Sequence, residues 1–187
     1  MQPETAASLA SYAALVRRWA GTLDLVAPSD LGRIESRHIE DSLRIVPLVE
    51  GLPPGPCVDV GSGAGFPGIP LAIVDPTRAW TLLEPRARRA AFLEEVVRSL
   101  ALDCTVVAAS AQQAARDPGL AGRHAVATAR ALADPHTAFQ LLMPLVRPEG
   151  TAVVFTGRGA SIPAGAAEWA PGIAIMRPGA AEEVDRP

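Results

Sequence analysis

The sequence contains no lysine, and all 17 of its basic residues are arginine. Alanine, glycine and proline are abundant, so the missing lysine indicates a coding bias rather than a functional choice. With 20 acidic residues, the formal net charge is −3. This balance argues mildly against a nucleic-acid binder, because phosphate contacts normally supply most of the affinity for nucleic acids. The net charge is nevertheless compatible with a local arginine-rich surface on an acidic protein.

Long hydrophobic runs and a targeting signal are also absent. Although 49% of the residues are hydrophobic, no apolar run approaches the roughly 20 residues that span a bilayer. The first residues, MQPE, lack the basic-then-apolar layout of a signal peptide. These features predict a cytoplasmic protein that does not contact a membrane. A chain of 187 residues suits one domain with a full core, and we expect a monomer.

Cysteine is scarce, and the patterns of metal sites and covalent catalysis are missing. The two cysteines, Cys57 and Cys104, lie in strand-like runs and are predicted to be small buried hydrophobes. His124 and His136 lack metal-ligand spacing with any Cys, Asp or Glu, so we predict no metal. Neither a Ser/His/Asp set nor a pair of catalytic acids is present.

Strand-like and helical stretches alternate over most of the chain. The predicted strands cover 57–60, 79–84, 104–109, 124–128 and 151–156, with a further candidate at 173–176. The predicted helices between them cover 67–75, 87–101, 110–116 and 135–146. This alternation predicts an α/β fold with a mostly parallel sheet and helices on both faces.

The N-terminal part has helical periodicity instead. Apolar residues recur at helical spacing over 5–20, and a second such stretch covers 38–49. Asp30 is a plausible cap for a short helix between them.

We therefore divide a single domain into three parts. A helical N-terminal cap covers 1–52, and an α/β core covers 53–177. A polar, proline-bounded tail covers 178–187, and we expect it to be poorly ordered.

The most informative segment is the run DVGSGAGFPG at positions 59–68, between a predicted strand and a predicted helix. Glycine has no Cβ, so such a loop turns tightly and lets bare backbone approach a ligand. The following helix offers N–H groups without intrahelical acceptors. The segment predicts a binding loop for a nucleotide-like cofactor.

Two cofactor classes fit this loop. The spacing G-x-G-x-x-G from Gly63 matches the dinucleotide fingerprint, with Glu84 about 20 residues further on. However, the predicted strand ends just before Gly61, and Asp59 precedes that glycine by two positions. A carboxylate there would repel a pyrophosphate, whereas it suits an ammonium group, and Glu84 can accept hydrogen bonds from ribose hydroxyls. We therefore favour S-adenosylmethionine, which has an ammonium, a sulfonium and a ribose but no phosphate.

The loop closely resembles that of the RsmG (GidB) family, bacterial methyltransferases that act on guanine N7 of 16S ribosomal RNA. The extension FPGIP at 66–70 is far more specific than the glycines. The other similar segments are Trp19 with Leu25, 37–43, 82–84, Arg89 with 92–93, and 128–131. The likeness covers about residues 12 to 157. It implies a Rossmann-like class I S-adenosylmethionine-dependent fold, N7 methylation, and ribosomal RNA or the 30S particle as partner.

The resemblance also implies the site residues. With the two acids argued above, the predicted methyl-donor contacts are Asp59, Gly61, Gly63, Phe66, Glu84, Ala111, Gln112 and Arg130. Arg37 and His38 match an Arg-His pair of the family, and with Arg158 they are the predicted substrate contacts. Arg130 and His38 are candidates for positioning. No general base is assigned, because guanine N7 carries a free lone pair and its methylation depends on positioning.

The chain also departs from the family pattern. Asp24 replaces an asparagine, Gln112 an acid, His124-Ala125 a Phe-Asp pair and Thr156 a lysine. The usual last pair of strands is hard to find after Met176. Two alternatives therefore stay open: a divergent member that methylates another RNA or a small molecule, and a non-catalytic RNA-binding or assembly factor.

Overall fold

Seven strands form one sheet in the computed structural model, which describes residues 2–179. The strands are β1 Cys57–Val60, β2 Trp80–Leu83, β3 Cys104–Val107, β4 His124–Arg130, β5 Val146–Phe155, β6 Ala166–Ala170 and β7 Ile173–Met176. Their spatial order is β3-β2-β1-β4-β5-β7-β6. The first five strands are parallel, and β7 runs antiparallel between β5 and β6. The predicted mostly parallel sheet is confirmed.

Helices precede the sheet and connect its strands. They are α1 Pro3–Leu23, α2 Glu40–Leu43, α3 Val46–Glu50, α4 Gly68–Val74, α5 Ala87–Leu100, α6 Ala111–Ala114 and α7 Pro135–Leu142. Short 3₁₀ turns cover Pro28–Arg33 and Met143–Leu145, and one π-helical turn covers Ile34–Ile39. Among the described helices, none is both long and apolar enough to cross a bilayer.

The single helix predicted over 38–49 is wrong. The π-helical turn ends at Ile39, and α2 and α3 follow as separate pieces. Pro47 lies in the first turn of α3. Proline lacks the N–H that a helix interior requires, so it starts a helix rather than continuing one.

Both faces of the sheet are covered. All of β1 is buried, as expected for a strand between two layers of helices. On one face, Leu83 packs in a cluster with residues of α6 and α7. On the other, Leu82 packs with residues of α1, α4 and α5. The cap helix α1 therefore belongs to the layer that also supports the glycine loop.

The last strand pair is present, so the expectation that it is missing is wrong. It consists of β6 and β7 and ends at Met176. The candidate strand at 173–176 is β7, whereas β6 was not predicted. The β6 side chains are half-buried or exposed, and an edge strand of this kind carries no clear hydrophobic alternation. Most of the tail predicted over 178–187 lies outside the described residues.

The departure at Asp24 has a structural explanation. Asp24 follows α1 with φ +48°, in the left-handed region. Aspartate and asparagine adopt this conformation more readily than other side chains, so both suit the position. Arg89 on α5 donates to the carbonyl oxygens of Leu23 (3.3 Å) and Asp24 (2.6 Å), which ties the end of α1 to the sheet layer.

Candidate active site

The glycine loop joins β1 to α4, and its three alternating glycines serve different needs. Gly61, Gly63 and Gly65 have φ values of +70°, +56° and +101°, which glycine adopts without strain. A Cβ on Gly65 would lie 2.6 Å from Ile69 Cγ1 and 3.0 Å from Tyr12 Oη. A Cβ on Gly63 would meet nothing closer than 3.8 Å. Gly65 is therefore required by packing, whereas Gly63 leaves bare backbone open to a ligand.

Tyr12 on α1 contacts this loop from the cap side. The side chain is fully buried, and its hydroxyl donates to the carbonyl oxygen of Ala64 at 2.7 Å. Its ring also packs against Phe66, with 5.3 Å between ring centroids. Helical spacing predicted only that α1 has a buried stripe, and the contact with the loop is long-range.

Asp59 is held inside the protein. It is fully buried, its Oδ1 accepts from Thr128 Oγ1 at 2.7 Å, and its Oδ2 accepts from the Gly68 N–H at 3.4 Å. Burial raises the pKa of this carboxyl group to about 6, although these hydrogen bonds act in the opposite direction. Asp59 thus joins β1 to β4 and to the start of α4. Its predicted contact with the donor's ammonium group stays a prediction.

Glu84 follows β2 and faces the open glycine. Its Oε2 accepts from the Gly63 N–H and its Oε1 from the Arg86 N–H, each at 2.9 Å. A carboxylate has about four acceptor sites, so each oxygen keeps capacity for a ribose hydroxyl. The position beside Gly63 suits the predicted role.

Ala111 and Gln112 begin α6 behind a capping box. Ser110 Oγ accepts from the Gln113 N–H, and Gln113 Oε1 accepts from the Ser110 N–H. The N–H groups of Ala111 and Gln112 have no intrahelical acceptor at this helix start. The Gln112 amide also offers a carbonyl oxygen. The replacement of an acid by glutamine therefore keeps a hydrogen-bond acceptor at this position, and the contact of Ala111 and Gln112 with the methyl donor stays a prediction.

Arg130 ends β4 and binds the helical cap. Its Nη1 lies 3.3 Å from the His38 carbonyl oxygen and 3.3 Å from Asp41 Oδ2. Its Nη2 donates to His38 Nδ1. The Arg130 side chain is only 16% exposed, so these cap residues fix the guanidinium in place.

Phe66 connects this arginine to the glycine loop. The His38 ring stacks on the Phe66 ring, with 5.1 Å between centroids and 23° between planes. The Arg130 guanidinium carbon lies 5.2 Å from the Phe66 centroid, within the range of a cation–π contact. The predicted contact of Phe66 with the methyl donor stays a prediction, and its observed contacts are with Arg130, His38 and Tyr12.

Asp30 is a buried ionic partner, so its interpretation as a helix cap is wrong. The 3₁₀ turn begins at Pro28 and already contains it. Its carboxylate accepts from Arg33 at 3.2 Å and from Arg37 at 3.1 Å. His38 Nε2 lies 3.3 Å from Asp30 Oδ2, without the alignment of a hydrogen bond.

The surroundings of His38 favour its neutral form. Burial lowers its pKa, the positive charge of Arg130 lowers it further, and Asp30 partly opposes both effects. Because Nδ1 accepts from Arg130, the proton of the neutral ring belongs on Nε2, toward Asp30.

A cleft of about 1120 Å³ opens between the cap and the ends of β4 and β5. Its charged lining consists of Arg33, Arg37, Arg44, Arg130 and Arg158, with Glu40 and Asp41. Positive charge is therefore in local excess in a chain of net charge −3. The predicted substrate contacts Arg37, His38 and Arg158 all line this cleft. Arg130 also lines it, and reaches the glycine loop through Phe66.

Comparisons with known proteins now decide the family. A family model described as GidB, rRNA small subunit methyltransferase G, matches residues 5–169. The chain belongs to this family. The ribosomal RNA small subunit methyltransferase G of Granulibacter bethesdensis is 39% identical over 168 residues, which cover 89% of this chain and 76% of that protein. Its Acidiphilium cryptum counterpart is 40% identical over 156 residues, with coverage of 81% and 68%.

A solved structure supports the fold of this GidB chain. A putative S-adenosylmethionine-dependent methyltransferase from Methanococcus maripaludis matches it with a TM-score of 0.52 at 18% identity. The match covers 78% of this chain and 62% of that one. Family membership confirms the resemblance drawn from the sequence and the predicted methyl donor, and the solved structure confirms the fold class.

The departures from the GidB pattern fall in two groups. His124 is buried at the start of β4, where its Nδ1 lies 3.0 Å from the Leu145 carbonyl oxygen, and Ala125 is also buried. Together with Asp24, these positions lie outside the cleft. Thr156 lines the cleft beside Arg158, so a cation remains close to the position where the family has a lysine. Among residues 2–179, no group of three His, Cys, Asp or Glu side chains is arranged to hold a metal ion.

Proposed function

We propose that this protein transfers the methyl group of S-adenosylmethionine to guanine N7 of 16S ribosomal RNA. Family membership supports the enzyme class. The observation that carries the proposal for this chain is the position of Arg130. Through Phe66 this side chain contacts the glycine loop, and it also lines the arginine-rich cleft.

The residues of the loop side fit the methyl donor. Gly63 exposes bare backbone, Glu84 keeps acceptor capacity for a ribose, and the start of α6 offers N–H groups for an adenine edge. When bound, the donor supplies a methyl group activated by a sulfonium. The chain's own contribution is to hold the loop rigid, through Tyr12 and Asp59.

On the acceptor side, the residues need only position the base. Guanine N7 carries a lone pair, so no proton has to be removed before attack, and alignment with exclusion of water lowers the barrier. An arginine has five N–H donors. The contacts of Arg130 with His38 and Asp41 leave donors for guanine O6 or for a phosphate.

The remaining arginines of the cleft suit an RNA backbone. Arg37 and Arg158 both line the cleft and come from different parts of the chain, Arg37 from the cap and Arg158 from the segment after β5. Arginine forks match phosphate geometry, and the local excess of positive charge offsets the acidic balance of the whole chain. We expect the protein to act as a monomer in the cytoplasm, on ribosomal RNA or the 30S particle.

The test uses purified protein with S-adenosylmethionine and 30S particles that lack the modification. Calorimetric titration is expected to show binding of the methyl donor, and labelled methyl groups are expected to appear in 16S ribosomal RNA. Absence of donor binding would favour a non-catalytic RNA-binding or assembly factor. Donor binding without transfer to the particle would favour a divergent member with another acceptor.

A further inference from the structure

The edge strand β6 contains a β-bulge at Trp169. Glu168 pairs with Ala174, but the next paired residue is Ala170, which faces Ile173. Trp169 is thus the extra residue on the β6 side of this antiparallel pair. Bulges at sheet edges near functional sites commonly redirect one side chain.

The bulge leaves an exposed tryptophan. At 36% exposure, Trp169 is the one large hydrophobic side chain among the described residues that is exposed. By contrast, Trp80 is 2% exposed and belongs to the core. Its indole offers solvent a flat apolar face together with an N–H donor, which is the kind of surface that can stack on another planar group.

Trp169 also lies next to the cleft. Pro171 and Gly172, which form the turn after β6, line that cleft. Trp169 and Pro171 are two positions apart in the chain, so their Cα atoms are within roughly 7 Å. The backbone of Trp169 therefore lies beside the cleft that the arginines line.

Arg44 ties this turn to the rest of the site. Its Nη2 donates to the Pro171 carbonyl oxygen at 2.7 Å, and its Nη1 donates to Asp41 at 2.9 Å. Asp41 in turn pairs with Arg130. A continuous chain of polar contacts thus runs from the turn beside Trp169 to the arginine at the glycine loop.

We propose that Trp169 stacks on an unpaired base of the RNA substrate, next to the target nucleotide. This inference rests on the proposed function, because it assumes that RNA occupies the cleft. Aromatic platforms beside basic grooves bind single-stranded RNA in this way. The five arginines that line the cleft favour an anionic partner over an apolar protein surface, and the proposed function makes that partner RNA.

The test compares three variants, Trp169→Ala, Trp169→Phe and Trp169→Leu, by their affinity for 30S particles that lack the methyl group. The alanine and leucine variants are expected to lose about tenfold in affinity, since stacking of one base is worth roughly that much. The phenylalanine variant keeps an aromatic face and most of the affinity. Calorimetric titration with S-adenosylhomocysteine is expected to give wild-type values for all three, which also shows that they fold.

Two results would overturn the inference. One is wild-type affinity of the alanine or leucine variant for the particles. The other is a wild-type dimer that Trp169→Ala converts to a monomer without a change in RNA affinity, which would make β6 an edge between two copies. A wild-type protein that binds the particles but transfers no methyl group contradicts the proposed function, and leaves the stacking measurement intact.

Discussion

At the scale of single residues, Arg130 is the point where the contacts of the site converge. Its guanidinium touches the His38 ring and backbone, Asp41, and the face of Phe66. A planar fork can make these contacts together, whereas a lysine ammonium cannot. Arginine at this position therefore joins the cap to the loop with one side chain, and by the proposed function it also positions the substrate.

The first prediction concerns that fork. Arg130→Lys keeps the charge but loses the simultaneous contacts, and we expect kcat/KM for 30S methylation to fall about 100-fold, as for a misplaced positioning group. Arg98→Lys is the matched control, because Arg98 pairs with Glu95 on the surface of α5. Equal activity of the two lysine variants would contradict the role of the fork.

The second prediction concerns the protonation of His38. Its pKa is lowered from 6.5 by burial and by Arg130. The ring is therefore neutral near pH 7, and it gains a proton only at a pH below the ordinary pKa of histidine. That proton on Nδ1 removes the acceptor for Arg130. We expect kcat/KM to fall on the acid side of a profile between about pH 5 and pH 8.

Two variants of His38 check this reading. Asparagine places its amide oxygen near the position of Nδ1, so His38→Asn is expected to keep activity at acid pH. Glutamine places its amide near Nε2, so His38→Gln is expected to lose activity at all pH values. An unchanged acid limb in His38→Asn would assign that limb to another group.

The third prediction concerns Asp59, whose pKa is raised from 3.8 to about 6. In the intervening pH range the folded state holds a proton that the unfolded state has lost, so stability falls as pH rises through this window. The contribution is about 3 kcal/mol, at 1.36 kcal/mol per pKa unit. Denaturant unfolding of wild type and Asp59→Asn over this range is expected to show the fall only in wild type. Parallel stability curves would contradict the raised pKa.

At the scale of elements, the glycine loop combines packing and ligand access. Gly65 is enclosed by Ile69 and Tyr12, whereas Gly63 is open on the side where a Cβ would point. The sequence predicted the loop and its turn but not this difference. The distinction depends on which neighbours the fold brings to each glycine.

The fourth prediction follows from that difference. Gly65→Ala is expected to lose about 3 kcal/mol or more of stability through overpacking and left-handed strain. Gly63→Ala is expected to lose only about 1–2 kcal/mol, from strain alone, but at least tenfold in affinity for S-adenosylhomocysteine.

Gly122→Ala serves as the control for strain without a ligand. Gly122 has φ +64° and no atom within 4 Å of an added Cβ, and it lies in the turn before β4. Denaturant unfolding and calorimetric titration separate the two effects. Wild-type cofactor affinity in Gly63→Ala would show that the ligand does not approach this glycine.

The predicted elements agree with the structure where hydrophobic patterning is strong. The strand predicted at 57–60 coincides with β1, and the helix predicted at 87–101 agrees with α5 to within one residue. The strand predicted at 151–156 begins earlier in the structure, at Val146. The prediction missed this start because Arg147 to Glu149 are polar and include a proline. Such an exposed strand start has no signal in the residues alone, and the same holds for β6.

At the scale of the whole molecule, the site is assembled between the cap and the sheet. Arg130 and Asp41 are 89 positions apart in the chain, and Tyr12 and Ala64 are 52 apart. Arg130 and His38 were identified through the family resemblance. Their acidic partners, the buried Asp30 and the partly exposed Asp41, were not, because contacts at such separations leave no local pattern of spacing or propensity.

The cap contributes side chains both to the glycine loop and to the cleft. It supplies His38 and Asp41 to Arg130, and Tyr12 to the glycine loop. The same segment contributes Arg33, Arg37 and Arg44 to the cleft. The glycine loop and the arginine-rich cleft are thus held by one set of helices, and a change in either is expected to affect the other.

The most direct test of N7 methylation is the content of 7-methylguanosine in 16S ribosomal RNA. Small-subunit particles from a strain that lacks this gene are incubated with the purified protein and S-adenosylmethionine, and their RNA is digested and quantified by mass spectrometry. We predict that 7-methylguanosine is absent before incubation, appears after it, and is strongly reduced with Arg130→Lys. Undiminished 7-methylguanosine in the deletion strain, or a methyl group on another atom or RNA, would contradict the proposed function.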